Sequence, residues 1–236
     1  MKLAILETDV LRPEHQPTFV GYGRMFLNLF EAVGVDWEME VFPVIHDQYP
    51  LDFDRFDAFL VTGSKHDAFA DDDWIVRLRD YVRTLYDHGK PMVGICFGHQ
   101  LLAHALGGRA ERFHQGWGLG VMSYEVLEQP AFADNDQPVS LLVSHRDQVT
   151  AIPPQARPLL TNPFCEHAAF YIPGKVLCFQ GHPEFTKEYE QVLLPLRESD
   201  VPPEQMSAIR DSMEDPHEGV RIGQWMKRFL EQTVQR

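Results

Sequence analysis

The chain has 236 residues, 44% of them apolar and 24% charged, a balance that fits a packed globular protein and excludes a disordered or fibrous one. Its formal charge of −14, from 35 acidic against 21 basic residues, comes without any basic cluster, which argues against nucleic-acid and anionic-membrane partners. No apolar run approaches the roughly 18 residues of a spanning helix, and MKLAILETDV turns to charge where a leader would carry a small-residue cleavage site, so a cytoplasmic protein of one domain is expected.

In chain order, KLAILE (2–7) reads as a buried strand, and VGYGRMFLNLFEAVG (20–34) places Met25, Leu29, Phe30 and Val33 at helical spacing before a closing Gly34. WEMEVFPV (37–44) alternates as a strand does, and FDAFLVTGS (56–64) is an apolar run ending on a turn glycine. The segment from Asp71 to Pro91 predicts a helix, with acids in its first turn, Ile75, Leu78, Tyr81, Val82 and Leu85 on one stripe, and Gly89 and Pro91 as its stop. PMVGIC (91–96) predicts a buried strand and GHQLLAHALGG (98–108) a helix closed by two glycines. Strands follow at 120–128, 139–144, 157–162, 168–173 and 175–181, with Pro173-Gly174 turning the last pair. After Phe185 come an acidic helix, a break at Pro202-Pro203 and two further helical pieces. The pattern predicts an α/β fold, a doubly wound and mostly parallel sheet with helices on both faces, whose ligands bind beyond the carboxyl ends of the strands. Gly63 and Cys96 both fall on that edge.

Three cysteines, Cys96, Cys165 and Cys178, lack C-x-x-C spacing and are odd in number, so neither a disulfide framework nor a zinc site is suggested. The 11 histidines show no ligand spacing on one helix face, and no metal is expected. A small packing role is the plain reading of any cysteine, and it suffices for Cys165 and Cys178. Cys96 differs because Gly94-Ile95-Cys96-Phe97-Gly98 has the form of a sharp strand-to-helix turn that exposes a nucleophile between small neighbours. The helix starting just after it offers N–H groups and partial positive charge that favour a thiolate. A thiolate attacking an amide needs a proton carrier. QGHPEF (180–185) supplies one, with His182 at the end of an apolar strand and Glu184 two residues on, able to orient the second ring nitrogen. The order Cys, His, Glu excludes an α/β-hydrolase assignment, in which the acid precedes the histidine.

GICFGHQLLAHALGG taken with GHPEF resembles the class I (triad) glutamine amidotransferases, especially the domain found in GMP synthase, over about residues 40–190. The resemblance implies the flavodoxin-like fold of that family and a reaction in which Cys96 attacks the side-chain amide of glutamine or a γ-glutamyl compound, His182 carries the proton and Glu184 orients it. A γ-glutamyl thioester would form and water would release glutamate. It also implies oxyanion donors at Gly63 and Ser64, beside the N–H of Phe97. Ser64 and Lys65 stand where the family has a second glycine and a proline. Gln100 falls where the family contacts the amino-acid end of the substrate. SHRDQV (144–149) resembles the family's S-H-G-D segment with Arg146 in place of glycine, which gives Ser144, His145, Arg146 and Asp147 to the α-amino and α-carboxylate groups, largely through backbone. No cofactor is implied.

GSKHDAFADDDWI and CFGHQ look particularly like the stand-alone plant γ-glutamyl peptidases, which cleave glutathione-type compounds. With no P-loop and only residues 191–236 beyond the motifs, no ATP-using domain is expected. Residues 1–190 are therefore expected to form a catalytic domain, and 191–236 a helical extension packed on it. The expected activity is free-standing hydrolysis of a γ-glutamyl amide. A glutaminase subunit that delivers ammonia to a separate synthetase chain, and a non-catalytic binding protein on the same fold, are the alternatives.

Overall fold

The computed structural model describes residues 1–234. Strand β1 (Lys2–Glu7) leads through a short helix α1 (Gln16–Phe19) into α2 (Tyr22–Ala32), β2 (Glu38–Pro43) and β3 (Ala58–Val61), and α3 (Asp73–Asp87), β4 (Met92–Ile95) and α4 (Phe97–Ala105) follow. Then come β5 (Arg109–Arg112), β6 (Gly118–Val126), β7 (Val139–His145), β8 (Asp147–Ala151), β9 (Arg157–Thr161), β10 (Ala169–Ile172) and β11 (Val176–Phe179). The last helices are α5 (Lys187–Leu193), α6 (Pro203–Ser212) and α7 (Gly219–Val234).

Nine strands form one sheet in the order β2-β1-β3-β4-β11-β10-β9-β6-β7. The expected parallel arrangement spans β2, β1, β3, β4 and β11, and the four remaining strands extend the sheet through antiparallel pairs. Alternate residues of each strand face opposite sides. Leu3 and Ile5 therefore pack with Phe26 and Phe30 of α2 and with Trp225 and Phe229 of α7. Ala4 and Leu6 pack instead with Ile75 and Leu78 of α3 and Leu101 and Leu102 of α4. Helix α7 thus closes one face of the sheet, with Trp225 fully buried and its indole N–H donating to Asp134 at 2.8 Å.

Register places the site. Val61 lies opposite Gly94 and Ile95 opposite Phe179, so the chain leaves adjacent strands at Gly63, Cys96 and Gln180, side by side at the carboxyl edge.

The structure adds elements that the hydrophobic pattern does not signal. Strand β5 pairs with β8 in a separate two-stranded sheet, Arg112 opposite Asp147. Its sequence, RAER, has one apolar residue and one buried position, so no alternation marks it. Residues 147–149, which lie beyond the strand expected at 139–144, belong to β8 because this ribbon supplies their partners. Among the described residues no helix is long and apolar enough to cross a membrane.

Candidate active site

The turn after β4 is tight enough to dictate its residues. Cys96 adopts φ 51° and ψ −102°, a conformation that side chains rarely accept and that is held here by its surroundings. A Cβ on Gly94 would lie 2.6 Å from the Gly98 carbonyl oxygen, and one on Gly98 would lie 2.3 Å from the Val61 carbonyl oxygen. Both glycines are therefore required by space, and together they bring the backbone of α4 against β3 and β4. The Cys96 thiol stands at the start of α4, where unpaired N–H groups face outward.

The N–H groups of Gly63, Ser64 and Phe97 donate no hydrogen bond among the described residues. A Cβ on Gly63 would lie 2.8 Å from His182 Cε1 and 3.7 Å from Cys96 Cβ, so this glycine touches both. Phe97 offers only its backbone, since its ring is buried and stacked on Trp74.

His182 is fixed from several sides. Its N–H donates to the Leu142 carbonyl at 2.8 Å, its ring stacks on Phe185 with centroids 3.7 Å apart, and its Nδ1 meets Glu184 Oε1 at 2.8 Å. Burial opposes the charged imidazolium, but the Glu184 carboxylate and the Cys96 sulfur outweigh it and raise the His182 pKa above the usual histidine value. The arrangement favours the imidazolium form of His182. Burial pushes the Cys165 thiol up to about 12 and raises the Cys178 thiol well above the usual cysteine value, which disfavours a thiolate at either.

A cavity of about 340 Å³ opens beside Cys96 and is bordered by Ser64, Gln100, Ser144, His145, Arg146 and Asp147. The structure therefore gathers the turn at Ser64, Cys96, Gln100 and residues 144–147 around one space. Gln100 reaches it differently from a simple substrate donor: its Nε2 donates to the Asp147 carbonyl at 2.7 Å and to Gln180 Oε1 at 3.1 Å, which leaves its Oε1 for a ligand. His145 is buried, with Nδ1 3.2 Å from the Asp147 carbonyl, and burial holds its pKa down at about 4, so its ring is neutral at pH 7. The Asp147 carboxylate is engaged by Arg112 Nε at 2.6 Å, and burial with Asp67 nearby pushes its pKa up to about 6. Arg146 is exposed and makes no ion pair among the described residues.

Gln180 was not singled out from the sequence. Its Nε2 donates to Cys96 Sγ at 3.6 Å while its Oε1 is held by Gln100, so the two glutamines link the Asp147 backbone to the sulfur. The signal available was its place directly after the apolar strand that ends at Phe179 and two residues before His182. Arg12, Trp117 and Arg197 also border the cavity, and no motif marks them. Among the described residues no group of three or more His, Cys, Asp or Glu side chains is placed to hold a metal ion.

A family model for class-I glutamine amidotransferase matches residues 29–195. The chain is 36% identical over 180 residues to gamma-glutamyl peptidase 3 of Arabidopsis thaliana, covering 72% of each chain. It is 34% identical over 179 residues to gamma-glutamyl peptidase 4 of the same plant, covering 72% of this chain and 70% of that one. The crystal structure of a glutamine amidotransferase from Thermotoga maritima superposes with a TM-score of 0.76 at 17% identity, over 100% of this chain and 98% of the other.

Proposed function

This chain belongs to the class I glutamine amidotransferase family, and we propose that within it the protein is a free-standing hydrolase of γ-glutamyl amide bonds, acting through a γ-glutamyl thioester on Cys96. The observation that carries the reading is the strained Cys96 turn facing a buried His182 that is hydrogen-bonded to Glu184 at 2.8 Å. The likeness to two gamma-glutamyl peptidases supports hydrolysis over ammonia transfer.

The steps follow from these positions. His182 holds the thiol proton, and the Cys96 thiolate attacks the γ-carbonyl carbon, forming the C–S bond while the carbonyl electrons move onto oxygen. The N–H groups of Gly63, Ser64 and Phe97 donate to that oxyanion. As the C–N bond breaks, His182 passes its proton to the departing amine. Water then attacks the thioester, His182 accepts its proton, and the carbonyl re-forms with loss of the Cys96 sulfur, which recovers that proton. The products are glutamate and the free amine. Glu184 keeps the imidazole in the tautomer and orientation both halves need and stabilises its charge.

The test is incubation of the protein with glutamine and a set of γ-glutamyl peptides and amides, followed by mass spectrometry. Released glutamate and a γ-glutamyl adduct on Cys96 are expected. Turnover that appears only on addition of a synthetase and its acceptor would favour a glutaminase subunit, and no turnover with unmodified Cys96 would refute the hydrolase.

A further inference from the structure

Backbone N–H groups stabilise an oxyanion only when they already point at it, so the turn that carries Gly63 and Ser64 has to be held still. Regular structure does not hold it. Strand β3 ends at Val61, the Thr62 N–H still donates to the Leu6 carbonyl at 3.2 Å, and residues 62–64 belong to no helix or strand. Thr8 and Asp9, the two residues that follow β1, take over that task. Both are buried, at 0% and 4% exposure.

Thr8 and Thr62 form a chain of hydrogen bonds that ends on the turn. The Thr8 N–H donates to Thr62 Oγ1 at 3.0 Å, the two hydroxyl oxygens lie 2.9 Å apart, and the Thr8 hydroxyl donates to the Gly63 carbonyl at 2.8 Å. Each hydroxyl has one hydrogen, so the chain runs from Thr62 to Thr8 to Gly63. A trans peptide is planar with its C=O and N–H antiparallel. Holding the Gly63 carbonyl on Thr8 therefore turns the Ser64 N–H away from Thr8, and Ser64 borders the cavity beside Cys96.

Asp9 fixes the next peptide unit. The Lys65 N–H donates to Asp9 Oδ2 at 2.8 Å, and Lys65 Nζ lies 2.6 Å from Asp9 Oδ1, which also accepts the Val10 N–H at 2.7 Å. One buried carboxylate thus grips Lys65 by backbone and side chain together. Ser64 is held by the peptide units on both of its sides.

We propose that Thr8 and Asp9 are positioning residues for the oxyanion turn: Thr8 sets the direction of the Ser64 N–H, and Asp9 pins the turn through Lys65. This rests on the hydrolase reading above and adds to it the groups that prepare its oxyanion donors before substrate binds. Thr8 is fully buried, so its influence on a substrate runs through Gly63.

Two reactions of Cys96 separate this role from a general structural one. Acylation by a γ-glutamyl amide builds an oxyanion, whereas alkylation by iodoacetamide expels iodide and builds none. T8V removes the hydroxyl, and with glutathione or glutamine, whichever the wild type cleaves faster, its kcat and kcat/KM should fall together by about tenfold or more. Its rate of Cys96 alkylation should stay at the wild-type level. T8S, which keeps the hydroxyl, should recover most of the turnover. D9A should show the same split, and D9N, which keeps an acceptor for the Lys65 N–H, should retain more turnover than D9A. The Asp9 pair carries the test if T8V folds poorly. Unchanged kcat in T8V and D9A would overturn the proposal and leave the hydrolase standing. A loss of turnover matched by an equal loss of alkylation would also overturn it, because the effect would then lie on the thiol or on the whole site. Failure of the wild type to cleave any γ-glutamyl compound, with Cys96 unmodified, would remove the hydrolase reading and this role with it.

Discussion

Glu190 of α5 is fully buried, and neither of its carboxyl oxygens has a hydrogen-bond partner among the described residues. Burial pushes its pKa up from 4.5 to about 8, so the side chain is protonated in the folded protein at neutral pH, while the unfolded chain ionises it. Folding therefore takes up a proton between those two values. Its contribution to stability is complete below about pH 4.5 and is lost as the pH rises toward about 8, at about 1.4 kcal/mol per pH unit and about 5 kcal/mol over the whole window. Glu190→Gln keeps the size and polarity of the group and removes its titration. Urea unfolding of the wild type and E190Q between pH 5 and about 8.5 should give a stability difference that grows with pH in favour of E190Q, with the slope above. Every other titrating group is common to both proteins and cancels in the difference. Parallel stability curves would refute the reasoning, because they would mean that Glu190 ionises alike in the folded and unfolded chain.

Cys96→Gly should abolish turnover and yet stabilise the protein by about 1 kcal/mol, since glycine relaxes the positive φ at that residue; an unchanged or lower melting temperature would count against strain. Gly98→Ala should destabilise the fold by about 3 kcal/mol in chemical denaturation, because the added carbon would fall 2.3 Å from the Val61 carbonyl oxygen. Gln180→Leu removes the donor to Cys96 Sγ, and the rate of Cys96 alkylation by iodoacetamide at pH 7 should drop about tenfold, as loss of a hydrogen bond to a charged group implies. An unchanged alkylation rate would show that the amide does not serve the sulfur.

What the sequence could reveal follows from the kind of constraint each residue satisfies. The elbow was legible because steric demand is local: only glycine fits at 94 and 98 when Gly98 is pressed against the Val61 carbonyl, and the cysteine between them is marked by its neighbours. His182 and Glu184 were legible because one short segment after β11 carries both, two residues apart. The parallel strands announced themselves as apolar runs, buried on both faces. Strand β5 did not, because three of the four residues in RAER are charged and one position is buried, and only its pairing with β8 makes it a strand.

The cationic border is invisible for a different reason. Arg12 comes from the loop after β1, Trp117 from the turn before β6 and Arg197 from the turn after α5, and a charge needed at a ligand can arrive from any loop the fold brings near. Nothing forces such residues into a spacing. The division has a chemical meaning. Forming a strained nucleophile, relaying its proton and receiving an oxyanion demand sub-ångström placement on rigid strand ends, so those residues are written as motifs. Recognising the far side of the scissile bond demands only charge and reach. It follows that proteins sharing the elbow and the His-x-Glu segment can attack the same γ-glutamyl carbonyl and differ in the amine they expel.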